Sequence, residues 1–170
     1  AILFVGSSTI RFWKTLAQDF PDLKVINRGF GGSHLSDSTF FADRIVIPYQ
    51  PKTIFLYAGD NDLAAGKTPE QVFADYQAFV QKIRAQLPET RIVYLSIKPS
   101  PSRWHLKDQI QTANHLISGL KGDRLMFIDT YSPMLNQDGQ PRADLFQKDN
   151  LHMNAEGYKL WTSLIKPHLK

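Results

Sequence analysis

Four short motifs in this 170-residue chain carry groups that could act together on a carbonyl carbon. They are GSST at residues 6–9, NRGFGG at residues 27–32, GDND at residues 59–62 and DNLH at residues 149–152. In chain order they offer a hydroxyl nucleophile, glycine N–H groups, an amide side chain and a His–Asp pair. Nucleophilic acyl chemistry needs such a set: an activated serine, donors for an oxyanion and an oriented base.

The first and last motifs would supply the nucleophile and its base. Ser8 lies where a strand would turn into a helix, and N–H groups at a helix start favour a developing negative charge. The structural alternative for Ser7, Ser8 or Thr9 is a helix N-cap, and the motif alone does not separate Ser7 from Ser8 as nucleophile. His152 can accept the serine proton, and Asp149 can hold the imidazole through its Nδ1–H.

The two middle motifs would supply oxyanion donors. The glycines of residues 27–32, including Gly32, permit positive φ values and let backbone N–H groups approach a ligand. A tight turn or a phosphate-binding loop is the alternative for this motif. Asn61 can donate its side-chain amide, and its structural alternative is an Asx turn. Residues 59–62 lack the further ligands that a metal would need nearby, so we predict no metal site.

Five apolar runs rich in β-branched residues predict the strands that position these motifs. The runs span residues 2–5, 24–27, 53–57, 91–97 and 125–128. Strands that alternate with helices form a parallel sheet covered on both faces. We predict one α/β domain over residues 1–170, a three-layer α/β/α sandwich with a five-stranded parallel sheet in the flavodoxin-like order 2-1-3-4-5. The ligand crevice of this order lies at the carboxyl ends of strands 1 and 3, which precede Ser8 and Asn61.

Helical periodicity between and after the strands predicts the remaining elements. The predicted helical stretches cover residues 10–20, 36–49, 69–87, 106–120 and 154–165. In the first, Trp13 and Ala17 would share the buried face. In the second, the helix would break before Pro48. The third would begin with Thr68 as N-cap and Gln71 closing a capping box.

Composition narrows the function classes. The absence of cysteine excludes disulfides and thiolate metal sites. The net charge of +4 comes from scattered basic residues, so we expect no nucleic-acid partner. No apolar stretch reaches the roughly 20 residues of a membrane span, so we expect a soluble chain without stable membrane insertion. The compartment stays open between cytoplasm and export, because an upstream signal segment could be missing, and the sequence leaves the oligomeric state open.

Together with IRFW at residues 10–13 and LHMNAEGY at residues 151–158, the four motifs resemble those of the SGNH hydrolases. These form the GDSL lipase and esterase superfamily, and the chain is similar to its Gly-Ser-Ser branch. The resemblance implies Ser8, Asp149 and His152 as catalytic residues. It implies an oxyanion hole formed by the N–H groups of Ser8 and Gly32 and the amide of Asn61.

Two residues depart from the pattern of that superfamily. Ser7 stands where most members have Asp, so the hydrogen bonds beside the nucleophile should differ. Asn150 stands where Gly is common, and Asn tolerates a left-handed backbone better than most residues, so the turn should survive.

The resemblance implies a serine esterase that works through an acyl-enzyme and needs no cofactor. The short chain has no obvious long lid, which favours small acyl groups such as acetyl on a small-molecule ester, for example an acetylated carbohydrate or a lysophospholipid. We expect Phe30 and Leu63 to line the acyl pocket and Arg103 and Trp104 to contact a sugar or headgroup. The equally weighted alternatives are that Trp104 simply packs against the protein and that Arg103 is solvated.

Two other functions remain open at this point. The same serine, histidine and aspartate would serve an acyltransferase that uses a sugar as acceptor in place of water. A non-enzymatic flavodoxin-like binding module would instead use the glycine loops to hold a phosphate or flavin, with no need for His152.

Overall fold

A computed structural model of the protein describes residues 1–169 and contains a parallel sheet in the order β2-β1-β3-β4-β5. The strands are β1 (Ile2–Gly6), β2 (Val25–Gly29), β3 (Thr53–Tyr57), β4 (Arg91–Leu95) and β5 (Leu125–Ile128). Each predicted strand is present, and its ends differ from the prediction by at most two residues. The predicted strand order and the layers of helix on both faces are therefore confirmed.

Helices occupy the connections between strands and the end of the chain. They are α1 (Ser8–Arg11), α2 (Leu16–Asp19), α3 (Leu35–Phe40), α4 (Ala42–Ile45), α5 (Asp60–Ala64), α6 (Pro69–Gln86), α7 (Lys107–Gly119) and α8 (Ala155–Ile165). Turns of 3₁₀ helix lie at Ile47–Tyr49, Pro101–Leu106, Ser132–Met134, Ala143–Leu145 and Lys166–His168.

The sheet separates two hydrophobic clusters, because successive side chains of a strand point to opposite faces. Leu3 and Val5 belong to the cluster covered by α3, α4, α6 and α7. Phe4 belongs to the cluster covered by α1, α2 and α8. All residues of β1 and β3 are buried, which explains why central strands of a parallel sheet have continuous apolar sequences.

The long helix α6 begins as its sequence predicts. The Thr68 hydroxyl accepts a hydrogen bond from Gln71 N at 3.1 Å, and the Gln71 side chain accepts one from Thr68 N at 2.8 Å. This capping box satisfies two N–H groups that have no partner inside the helix. The helix ends at Gln86, two residues before Pro88.

The predicted helix over residues 10–20 is wrong in its middle, where the chain leaves α1 after Arg11 and restarts at Leu16. Ala17 is exposed, and Leu16 is buried in its place. The Trp13 indole N–H donates to the Asp19 carboxylate at 2.7 Å, and the Thr15 hydroxyl donates to the same oxygen at 2.8 Å. These side-chain hydrogen bonds stabilise the interruption between α1 and α2, which helical periodicity does not predict.

The segment over residues 36–49 is also broken rather than continuous. It forms α3 and α4, which meet at Phe41, a residue with non-helical φ and ψ of −91° and 3°. Pro48 lies inside the 3₁₀ turn that follows and does not itself end a helix.

Gly6 is a position where the fold tolerates no side chain. Its φ is +147°, and a Cβ there would lie 1.8 Å from the Tyr57 carbonyl oxygen. We expect Gly6→Ala to lower the free energy of unfolding by about 3 kcal/mol or more, through strained φ and overpacking. Urea unfolding measures this change. Gly119→Ala is the matched control, because a Cβ at Gly119 meets no atom of the described chain within 4 Å; equal losses for both variants would contradict the prediction.

Candidate active site

The first two motifs are joined by backbone contacts at the carboxyl edge of the sheet. In the strand register Gly6 lies between Gly29 and Tyr57. The Gly6 carbonyl accepts a hydrogen bond from Phe30 N at 2.8 Å and one from the Ser33 hydroxyl at 3.3 Å. The loop that contains Gly32 is therefore fixed to the end of β1, directly before Ser8.

Ser8, His152 and Asp149 form a continuous chain of hydrogen bonds. The Ser8 Oγ lies 3.1 Å from His152 Nε2, and His152 Nδ1 lies 2.6 Å from Asp149 Oδ2. An ionised carboxylate can only accept a hydrogen bond, so the imidazole proton belongs on Nδ1 and Nε2 is left to accept from the serine hydroxyl. This geometry brings together the three residues that the first and last motifs predict.

The Asp149 carboxylate is stabilised as an anion by the turn that contains it. Leu151 N and His152 N each donate to Asp149 Oδ1 at 3.0 Å. Desolvation acts to raise the pKa of Asp149, but the hydrogen bond from the His152 ring and those from the two backbone N–H groups outweigh it and lower the pKa to about 2. Asn150 makes this turn possible with a left-handed φ of 57°, as its sequence predicts.

An aromatic side chain and a groove border the imidazole. The Phe12 ring meets the His152 ring edge-on, with centroids 5.3 Å apart, and is 40% exposed. Both rings line a groove of about 800 Å³ that continues between α2 and α8. Lys14, Lys159, Lys166 and Asp19 also line this groove, so lysines outnumber carboxylates along it.

The Asn61 amide is held at both of its polar atoms. Its Nδ2 donates to the Ser33 carbonyl at 3.2 Å, and its Oδ1 accepts from Arg103 Nη1 at 3.0 Å. One Nδ2 hydrogen remains for another acceptor, since an amide nitrogen carries two. Gly32 is exposed and has a φ of +71° in the loop that ends at Ser33.

The four residues predicted to bind substrate have different surroundings. Phe30 is half-buried and packs edge-on against Phe41 at 5.8 Å. Leu63 is 3% exposed and belongs to a core cluster. Trp104 packs against that same cluster, and Arg103 binds Asn61 and Asp60. Contact with substrate stays a prediction for all four.

A buried charged cluster lies beside the site, and the sequence motifs did not predict it. Lys98 is 1% exposed, and its Nζ lies 2.8 Å from Thr9 Oγ1, 3.3 Å from the Tyr57 hydroxyl and 3.4 Å from Asp60 Oδ2. Arg103 Nη1 lies 3.1 Å from the same Asp60 oxygen. A lysine directly after a buried strand, at the ligand edge of the sheet, was the signal that could have indicated this cluster.

The pKa values in this cluster shift as its geometry requires. Burial acts to raise the pKa of Asp60, but the charges of Lys98 and Arg103 outweigh it and lower that pKa. Burial lowers the pKa of Lys98, and Asp60 opposes this shift. Burial, together with the Asp60 charge, raises the pKa of Tyr57 well above its ordinary range, so the phenol stays neutral.

Ser7, the residue next to Ser8, has a different environment. Its side chain is 1% exposed, and its Oγ has no hydrogen-bond partner among residues 1–169. Its backbone N–H donates to the Tyr57 carbonyl at 3.1 Å. Ser8 contacts His152 and Ser7 does not, so the structure separates two serines that the motif alone could not.

Among residues 1–169, no group of three or more His, Asp or Glu side chains could hold a metal ion. Over the same residues, every helix is too short or too polar to cross a membrane.

Comparison with known proteins identifies the family. Residues 5–160 match the model of the GDSL-like lipase/acylhydrolase family, and the chain belongs to this family. It is an enzyme that hydrolyses ester bonds, which removes the non-enzymatic binding module from consideration.

Two relatives and one solved structure illustrate the similarity. Platelet-activating factor acetylhydrolase IB subunit alpha1 of Homo sapiens is 26% identical, over 92% of this chain and 70% of its own. Subunit alpha2 of Bos taurus is 27% identical, over 92% of this chain and 70% of its own. A GDSL-like lipase from Bacteroides thetaiotaomicron has the same fold, with a TM-score of 0.83 and 23% identity over 98% of this chain and 86% of its own.

The lowered pKa of Asp149 predicts a pH-dependent contribution to stability. Because its pKa falls from an ordinary 3.8 to about 2 on folding, the carboxylate stabilises the fold above pH ~4, and this contribution is lost as the pH falls towards 2. We expect the difference in unfolding free energy between wild type and Asp149→Asn to shrink between pH 4 and pH 2. Urea unfolding at several pH values measures it.

The control for this experiment is Asp138→Asn, which removes a carboxylate from an exposed turn and reports the effect of net charge alone. A difference between wild type and Asp149→Asn that stays constant from pH 6 to pH 2 would contradict the prediction.

Proposed function

We propose that the protein is a serine esterase that cleaves carboxylic esters of small acyl groups through an acyl-enzyme. The observation that carries this proposal is the hydrogen-bonded chain from Ser8 through His152 to Asp149, with separations of 3.1 and 2.6 Å. A serine hydroxyl is a weak nucleophile until a base accepts its proton, and this arrangement supplies the base and orients it.

In the first half-reaction, Ser8 Oγ attacks the acyl carbonyl carbon as His152 Nε2 takes the hydroxyl proton. The positive charge that forms on the imidazole faces the Asp149 carboxylate, whose low pKa keeps it ionised. The Ser8 and Gly32 N–H groups and the second Nδ2 hydrogen of Asn61 bind the oxyanion. Donors fixed before the reaction stabilise this charge without reorganising during it.

The tetrahedral intermediate then collapses, and the bond between the carbonyl carbon and the alkoxy oxygen breaks. His152 gives its proton to the leaving alcohol, which departs and leaves the acyl group on Ser8. In the second half-reaction, water loses a proton to His152 and attacks the acyl carbon, and the carboxylic acid is released as Ser8 recovers its proton. No step needs a cofactor.

The groove beside His152 is where we place the leaving alcohol. The group that His152 protonates must lie next to its Nε2, which faces Ser8. The groove of about 800 Å³ is lined by His152 but not by Ser8, Gly32 or Asn61, so the alcohol would have to extend from Nε2 past the imidazole to occupy it. The volume is ample for a sugar or a lipid headgroup. Asp19 also lines the groove and Lys159 pairs with Glu156, so the excess positive charge comes from Lys14 and Lys166, and it favours an alcohol that carries negative charge.

Small acyl groups are proposed on separate grounds. Both curated relatives are acetylhydrolases by name. Phe30 and its neighbour Phe41 are proposed to contact the acyl methyl group.

The first test compares two adjacent serines. We expect Ser8→Ala to lower kcat for p-nitrophenyl acetate by about 10⁴-fold or more, because it removes the nucleophile. Ser7→Ala should keep both fold and turnover, since the buried Ser7 hydroxyl has no partner among residues 1–169. Full turnover in Ser8→Ala, or loss of turnover only in Ser7→Ala, would overturn the assignment.

A substrate series tests the acyl-size proposal with wild-type protein. We expect kcat/KM to fall from p-nitrophenyl acetate through butyrate to octanoate. A rise along this series would reject the small-acyl proposal but leave the nucleophile assignment intact. Product analysis with an added sugar separates hydrolysis from acyl transfer, because transfer would yield an acylated sugar in place of free acid.

A further inference from the structure

The segment 98–104, which follows β4, contacts three of the four chemical motifs. Lys98 Nζ bonds the hydroxyl of Thr9, the residue after Ser8, at 2.8 Å. Ser102 N donates to the carbonyl of Asn150, in the turn between Asp149 and His152, at 3.0 Å. Arg103 binds the third motif through Asp60 and Asn61. The mechanism above uses no atom of this segment.

Arg103 is the member of the segment that bonds an oxyanion donor directly. Its Nη1 lies 3.0 Å from Asn61 Oδ1 and 3.1 Å from Asp60 Oδ2. The Arg103 side chain is 19% exposed and that of Asp60 is 6% exposed. Hydrogen bonds from an ionised donor are stronger than those between neutral groups, and competing water weakens them. Because both side chains are largely buried, little water competes for this contact.

Asp60 is itself anchored, which fixes the position of the guanidinium. The same Oδ2 lies 3.4 Å from the buried Lys98 ammonium, and Asp60 Oδ1 accepts from Asn61 N at 2.9 Å. Lys98 is in turn held by Thr9 and Tyr57. The guanidinium therefore binds a carboxylate that the protein interior holds in place.

The orientation of the Asn61 amide is set by this anchor together with the Ser33 carbonyl, which accepts a hydrogen bond from Nδ2. The terminal torsion of Asn has a broad, roughly two-fold preference, so the oxygen and nitrogen of the amide can exchange places at small cost. A cation that donates to Oδ1 excludes the reversed orientation, in which Nδ2 would face the guanidinium and Oδ1 would face the oxyanion. With Oδ1 on Arg103 and one Nδ2 hydrogen on the Ser33 carbonyl, the direction of the second hydrogen is determined.

We propose that Arg103 is a positioning residue that fixes and polarises the Asn61 amide so that its free N–H faces the oxyanion. The inference rests on the proposed esterase mechanism and adds to it a part that the four motifs do not contain. A donor–acceptor chain from guanidinium to amide to oxyanion strengthens each bond in it, because each hydrogen bond polarises the next.

A double-mutant cycle tests whether Arg103 acts through Asn61. On p-nitrophenyl acetate we expect Asn61→Ala to lower kcat by about 10²-fold or more. Arg103→Met should lower kcat by about 10- to 100-fold and change KM by less than about 3-fold, because the interaction that it removes belongs to the transition state. Added to Asn61→Ala, Arg103→Met should cost little more, because the group it positions is gone. Arg103→Lys should restore part of kcat.

Matched controls separate positioning from a general loss of structure. Arg44→Met removes an exposed arginine of α4 and should leave kcat unchanged. Circular dichroism and urea unfolding verify that each variant is folded. The proposal is overturned if Arg103→Met leaves kcat unchanged, or if it lowers kcat by the same factor with and without Asn61→Ala. A rise in KM alone would instead make Arg103 a substrate contact.

A second measurement does not depend on turnover. The side-chain ¹H–¹⁵N signals of Asn61, assigned by their absence in Asn61→Ala, should shift or broaden in Arg103→Met and stay unchanged in Arg44→Met. An unchanged Asn61 signal in folded Arg103→Met would reject the positioning role. If wild type hydrolysed no ester while the signal still responded to Arg103→Met, the proposed function would fail and the positioning contact would stand.

Discussion

The close approach of three strand ends is the constraint on which the site depends. Gly6 lies between Gly29 and Tyr57 in register, with too little space for a side chain against the Tyr57 carbonyl. The same residue accepts hydrogen bonds from the loop after β2. The loops that contain Ser8 and Gly32, the proposed nucleophile and a proposed oxyanion donor, therefore share one backbone junction.

The buried charged cluster of Lys98, Asp60 and Arg103 also links the segments of the site. Burial of ions costs free energy that their mutual attraction barely repays, so a buried ion pair is weak evidence for stability. Here Lys98 binds Asp60, 38 residues away along the chain, and Thr9, 89 residues away, so the cluster joins distant segments. We interpret this cluster as fixing the relative positions of two segments, the one that contains Ser8 and the one that contains Asn61.

Sequence reasoning predicted those parts of the fold and site whose physical signals are local. The strands have continuous apolar runs, and the Asp149–His152 pair lies within one turn, so periodicity and spacing were enough. The break before Leu16 was missed because side-chain bonds to Asp19 hold it. The partners of Lys98 were missed because they lie in three different segments, and only the folded sheet brings them to one place.

The order of the site residues along the chain has a consequence for synthesis. Ser8 and His152 are 144 residues apart, and His152 lies in the last connection before α8. Because a protein is made from its N-terminus and domains fold as units, the proposed nucleophile Ser8 emerges from the ribosome long before His152, its proposed base. A growing chain therefore carries a Ser8 hydroxyl with no imidazole beside it, and under the proposed mechanism the chemistry begins only when the segment that contains His152 has docked.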